Sequence, residues 1–121
     1  MNIFKEIFTT EGRLNRKKFF MYYIAVTIMG ATATFVTSCM ATLLTGDPNG
    51  SLVKMITVTW AVLATAGACM LMARRLHDLN KNGGFFLVSF IPVVGLIFMA
   101  YLFFAEGTAG WNDYGKDPLA Q

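Results

Sequence analysis

The sequence predicts an all-α membrane protein, with three transmembrane helices behind a short N-terminal amphipathic helix. Three observations predict it. The 121-residue chain is 55% apolar and only 14% charged, where a soluble domain carries roughly 25% charged residues. Its charges avoid three runs, 19–46, 55–73 and 82–105, of 28, 19 and 24 residues, and about 20 apolar residues suffice to cross the hydrocarbon as a helix. The charges that remain alternate by side. Lys5, Arg13, Arg16, Lys17 and Lys18 precede the first run and Arg74, Arg75 and Lys81 follow the second, against Lys54 alone in the first loop and Lys116 alone in the tail. Basic residues collect on the cytoplasmic side, so the N-terminus and second loop are expected inside, the first loop and C-terminus outside. The same asymmetry accounts for the net charge of +3 without nucleic acid. Three buried helices of a soluble fold would leave too little chain to wrap them. The length fits one membrane domain, 1–121.

At the start, Ile3, Phe4, Ile7 and Phe8 fall at helical spacing around Lys5 and Glu6, which reads as an interfacial helix over 1–8. Asn15 is placed to cap helix one, 15–44. Arg16, Lys17 and Lys18 in its first turn oppose the helix dipole and fit the cytoplasmic headgroups instead. Phe19, Phe20, Tyr22 and Tyr23 mark the inner interface. Deeper, Gly30, Ala33, Thr34, Thr37 and Ala41 form one small-residue face; Ala61, Ala64, Thr65 and Ala68 repeat it on helix two, 52–76. Lipid-embedded helices associate by close backbone approach, so these faces are expected to pack together. Thr45-Gly46-Asp47-Pro48-Asn49-Gly50 between them is turn chemistry. Cys39 and Cys69 lie at depths roughly 13 Å apart, too far for a disulfide.

Helix three, 84–105, contains Ile91-Pro92-Val93-Val94-Gly95. Proline removes a donor and clashes with the preceding turn, so Pro92 and Gly95 mark a helix break. A kinked crossing is the first reading. The alternative is two half-depth helices of a re-entrant hairpin, which would return the tail to the cytoplasm. The tail, 106–121, is polar, with Trp111 and Tyr114 as headgroup anchors.

The densest polar cluster is Arg74-Arg75-Leu76-His77-Asp78, where Arg74 and Asp78 are spaced to pair along a helix. A histidine beside a carboxylate can move protons, and arginine grips phosphate. The plainer reading makes the arginines topology anchors and Asp78 their partner. A single histidine without paired thiols is a poor metal site, no phosphate loop or nucleophile–base pair is visible, and the helix cores lack the charge that marks ion pathways. No catalytic, cofactor-binding or metal-binding residue is expected, and no enzyme.

The polar segments carry a resemblance. Gly12-Arg13-Leu14-Asn15-Arg16-Lys17-Lys18-Phe19-Phe20, Arg74-Arg75-Leu76-His77-Asp78-Leu79, Ile91-Pro92-Val93-Val94-Gly95 and Asn112-Asp113-Tyr114-Gly115-Lys116-Asp117-Pro118 resemble, in order, four motifs of the bacterial inner-membrane family catalogued as domain of unknown function 805. Lys81-Asn82-Gly83-Gly84-Phe85 departs from its usual Ser-Gly or Ser-Ala with tryptophans. The resemblance implies a multi-pass bacterial plasma-membrane protein and supplies no activity. The expected function is a binding or scaffold protein of the envelope, with the lipid bilayer, another membrane protein or a second copy as partner. The alternative is a small transporter, channel or lipid-handling protein using the Pro92 break. The candidate residues are the cluster Arg13, Arg16, Arg74, Arg75, His77 and Asp78, the tail motif Asn112, Tyr114, Gly115, Asp117 and Pro118, and the break at Pro92 and Gly95.

Overall fold

The structure, a computed structural model, describes residues 8, 9 and 12–115. Two long apolar helices dominate it: α1, Arg16–Thr45, and α2, Ser51–Asp78. At 1.5 Å per residue their 30 and 28 residues span about 45 and 42 Å, more than the roughly 30 Å of hydrocarbon. Only 11% and 17% of their most apolar windows are buried, so these are not the core helices of a soluble fold. Large side chains such as Phe35, Met40, Leu43, Met55 and Val62 face outward, as a lipid solvent favours.

Asn15 caps α1, its side chain accepting from the Lys18 amide at 2.8 Å, and Gly46 ends the helix with φ 74°, a conformation glycine adopts without steric cost. Asp47 Oδ1 then accepts from the Asn49 amide at 2.9 Å, closing the first loop. The helices cross where a Cβ on Gly30 would lie 3.2 Å from that of Ala64, so the small faces meet as expected. Trp60 Nε1 donates to Thr37 Oγ1 at 3.0 Å across the pair. Beside this crossing runs an open groove of about 1140 Å³, whose lining includes Gly30, Thr34, Ser38, Ala61, Ala64 and Ala68. Cys39 and Cys69 are free thiols.

At its far end α2 stops at Asp78. Asn80 has φ 57°, and Lys81 N–H donates to the Leu76 carbonyl at 2.8 Å while Asn80 N–H donates to His77 at 3.0 Å. This bond pair is a Schellman motif with Asn80 in the left-handed seat. Asn82 Oδ1 then accepts from the Gly84 amide at 2.7 Å and opens a 3₁₀ helix, Gly83–Phe90.

Here the fold departs from the crossing expected at 84–105. The run divides into the 3₁₀ helix and α3, Val94–Phe104, with a reversal between them. Pro92 has no N–H to continue the first helix. Its carbonyl accepts from Val94 at 2.7 Å around Val93, whose φ of 64° and ψ of −58° make a positive-φ γ-turn, a strained arrangement for any residue and most of all for a β-branched one. Gly95 is buried, and a Cβ there would overlap the Ser89 carbonyl; the glycine lets the two arms close. Eight 3₁₀ residues rise about 16 Å and 11 α-helical residues about 16 Å, so the arms match. Both open ends lie at the Asp78 end of α2: Gly83 sits beside Ala73 and His77, and the Leu102 and Ala105 carbonyls reach Arg75. The expectation that the tail lies at the opposite end from the Arg13–Asp78 cluster is thereby corrected for residues 106–115.

The core follows from this. Leu14, Phe19, Val26, Leu71, Met72, Leu76 and Leu102 form one buried cluster, with Tyr23, Phe86, Phe98 and Phe103 against it. It occupies the end of the α1–α2 hairpin that the short hairpin packs on. The interfacial helix expected over 1–8 lies outside the described residues except for Phe8, whose ring sits over Gly67.

Candidate polar site

Three charged side chains meet beneath the core and are almost wholly withdrawn from solvent: Arg75 at 0% exposure, Asp78 at 3% and Arg13 at 7%. α2 supplies Arg75 and Asp78, three residues apart and so on one face of its last turn. The extended segment before α1 supplies Arg13, steered there by Leu14, whose amide donates to the Arg74 carbonyl at 3.2 Å and whose side chain enters the core. Asp78 receives both arginines. Arg13 Nε donates to Oδ1 at 3.1 Å, and Arg75 Nη1 to Oδ2 at 2.5 Å. The pairing expected with Arg74, four residues back, gives way to Arg75 and the distant Arg13.

The remaining guanidinium donors go to backbone carbonyls of three other segments. Arg13 Nη1 donates to Gly110 at 2.5 Å and Gly115 at 3.2 Å, and its Nη2 donates to Thr108. Arg75 donates from Nε to Leu102 at 2.8 Å, from Nη1 to Leu14 at 3.4 Å, and from Nη2 to Ala105. A buried charge is tolerable when paired and hydrogen-bonded throughout, and here the paired set binds the pre-helical strap, α2, α3 and the tail into one cap. The Thr108 amide adds a bond to the Asp78 carbonyl at 2.7 Å. Gly107 passes so close that a Cβ would overlap the Asp78 carboxylate.

Around this knot the other candidate residues take separate places. His77 is half-buried, its ring stacked on Tyr114 at 4.1 Å and 7° between planes. Its Nδ1 lies 3.0 Å from the Gly12 carbonyl; a carbonyl only accepts, so Nδ1 carries the proton. Asn112 Nδ2 donates to the His77 carbonyl at 2.9 Å, and its Oδ1 accepts from the Tyr114 amide at 2.8 Å. The Asn112–Gly115 turn is closed by two backbone bonds of 3.1 and 3.2 Å, and Asn80 Oδ1 accepts from the Asp113 amide at 3.2 Å. Tyr114 thus covers one face of His77, while Trp111 is exposed. Arg16 stands apart at the start of α1 with Nη1 on the Phe104 carbonyl at 3.2 Å. Arg74 is half-buried and also engaged through its side chain or backbone. Pro92 and Gly95 lie at the hairpin tip, and Asp117 and Pro118 lie outside the described residues.

Sequence reading missed the acceptors and Gly107. Carbonyls carry no residue identity, so the partners of Arg13 and Arg75 leave no mark in the sequence; the glycine-rich stretch 107–115 was the available signal. Among the described residues no group of three His, Cys, Asp or Glu gathers as a metal site requires.

The family described as "Protein of unknown function (DUF805)" matches residues 7–116. The inner membrane protein YhaI of Escherichia coli (strain K12) is 30% identical over 118 residues, covering 98% of this chain and 92% of that protein. The inner membrane protein YhaH of the same strain is 25% identical over 118 residues, covering 98% and 93%. No solved structure matches.

Proposed function

The chain belongs to the DUF805 family, and from that premise we propose that it is a non-enzymatic binding or scaffold protein of the bacterial inner membrane. Its relatives are named inner membrane proteins, and its two long apolar helices have the length to span. One observation carries the reading. The polar residues that would perform chemistry, Arg13, Arg75 and Asp78, are buried and directed at one another and at carbonyls of their own chain. A catalytic constellation holds groups aimed at a site where a reacting atom can sit; this one holds the cap shut. An open groove runs beside the α1–α2 crossing, and its lining includes Gly30, Ala31, Ala61 and Ala64, small residues of the kind that admits a second helix closely. The chain would thus keep one end of its hairpin rigid and offer the other to a membrane partner.

The topology proposed with it is two crossings and a re-entrant hairpin that reaches about half the hydrocarbon depth. The N-terminus, second loop and tail then share the cytoplasmic face, leaving Lys54 as the one basic residue on the other. A reporter fused after Gln121 is expected to read cytoplasmic. Co-purification of the full chain in mild detergent, with crosslinking from Ala31→Cys in the groove, is expected to trap a second protein chain. A strictly monomeric chain that crosslinks to nothing removes the scaffold reading.

A second reading rests on the strained turn at Val93, since strain persists where surrounding structure imposes it and collects at working sites. Broken helices line transport sites, so the hairpin tip would then pass a solute or lipid. Flux through liposomes that survives replacement of Pro92 and Arg75 overturns this version.

A further inference from the structure

We propose that the cleft between the start of α1 and the end of α3 binds one anionic phospholipid, its phosphate on Arg16 and Lys17 and its acyl chains along Phe20, Met21, Phe103 and Phe104. The inference is independent of the scaffold reading and needs only the membrane location.

The open cleft has a volume of about 550 Å³, and among the described residues those six line it. It has two storeys. At the helix start, Arg16 and Lys17 are exposed cations. One turn deeper, Phe20 is 53% exposed and Met21 54%, and across the cleft Phe104 is 77% exposed. Phe103 closes the back, its ring edge-on to Phe20 at 5.8 Å between centroids. Charge above and apolar surface below, at the end of a helix that enters the bilayer, is the order of a phospholipid's own parts. Basic pockets between membrane helices near the cytoplasmic surface bind anionic headgroups in this way.

Charge balance points the same way. Arg13 and Arg75 share the single carboxylate of Asp78, and Arg16 is close enough to act electrostatically on Arg75. Among the described residues no carboxylate lies within ion-pair distance of Arg16 or Lys17, and Glu106 forms no such pair with either. The bond from Arg16 Nη1 to the Phe104 carbonyl, 3.2 Å, holds the guanidinium across the cleft mouth, with further N–H donors in its planar fork. A free phosphate would satisfy the cations but leave Phe20, Met21 and Phe104 uncovered; a phospholipid covers both storeys.

The test uses the full chain purified in mild detergent. Phosphatidylglycerol is expected to raise the melting temperature by about 5 °C, and native mass spectrometry to retain one such lipid per chain. Phosphatidylcholine, glycerol phosphate and inorganic phosphate are each expected to leave the melting temperature unchanged. Arg16→Gln with Lys17→Gln should abolish the phosphatidylglycerol shift, and Lys54→Gln at the opposite end should keep it. Lys17→Gln alone preserves the Arg16–Phe104 bond and should cut the shift at least twofold, which guards against a double variant that fails to fold. Phe104→Ala should weaken lipid retention without altering the cations. An equal rise with phosphatidylcholine, a rise with either free phosphate, or a full shift in Lys17→Gln overturns the proposal.

Discussion

At the Asp78 end of the α1–α2 hairpin, nearly every side chain of the last two turns of α2 is buried, and two arginines tie four stretches of backbone to one carboxylate. At the Gly46 end, Ala41 is the one buried hydrophobic residue of either helix beyond their Gly30–Ala64 crossing, among the described residues. There the threonine hydroxyls of α1 donate back to their own helix, Thr34 to Gly30 at 2.7 Å and Thr42 to Ser38 at 2.9 Å, and Thr37, which does the same, also accepts from Trp60 of α2. The same pair of helices is therefore fixed at one end by charge and core packing and at the other by little more than close backbone approach. In lipid the second kind of contact is exchangeable, because another small-faced helix satisfies it equally well. The first is not, since no lipid tail can replace a carboxylate between two buried arginines.

The largest test of that contrast is Asp78→Asn. It keeps the volume and leaves two guanidiniums with no counter-charge, which costs about 3–5 kcal/mol when one partner of a buried pair is lost. Unfolding titrated with a denaturing detergent should show the loss, and a cost under about 1 kcal/mol would mean that the cap does not depend on charge. Gly107→Ala should follow, at about 2–3 kcal/mol, the upper part of the overpacking range, because the added Cβ overlaps the Asp78 carboxylate. Its readout is local: a cysteine introduced at Thr108, half-buried beside Asp78, should react faster with a thiol reagent as the tail lifts. Gly30→Leu acts at the other end. The crossing is tight there, 3.2 Å to the Ala64 Cβ, yet the helices can splay toward the groove, so about 1–2 kcal/mol is expected. Crosslinking to a partner should fall further than stability does.

How much of this was legible follows the same division. The α1–α2 hairpin and its matched small faces could be read because a 3.6-residue period and charge-free runs are local properties. The Asn15 cap and the Pro92 break were visible for the same reason, and Arg13, Arg75 and Asp78 stood out as charges beside apolar runs. The end of the α1–α2 hairpin at which residues 106–115 pack was not legible. It turns on how far residues 84–105 travel before reversing, and Pro92 permits either a kinked crossing or a hairpin; the γ-turn at Val93 and the close approach at Gly95 decide it, and both depend on arms distant in sequence. Nor could Gly107 be distinguished from other tail glycines, because its need for no side chain comes from Asp78, 29 positions earlier.

The smallest expected effect is the most informative about the open end. Trp60 Nε1 to Thr37 Oγ1, 3.0 Å, is a side chain–side chain hydrogen bond that joins α1 to α2 on the Gly46 side of their crossing. If the Gly46 end is held by exchangeable contacts, this bond should contribute little. Interhelical hydrogen bonds in lipid average about 0.6 kcal/mol, because the separated helices find other partners. A double-mutant cycle with Trp60→Phe and Thr37→Val isolates the term, the aromatic bulk being largely kept and the β-branch preserved. A coupling near 0.6 kcal/mol places the end's cohesion in packing. A coupling above about 1.7 kcal/mol would make the bond a second anchor, and the division between a locked end and an exchangeable one would have to be abandoned.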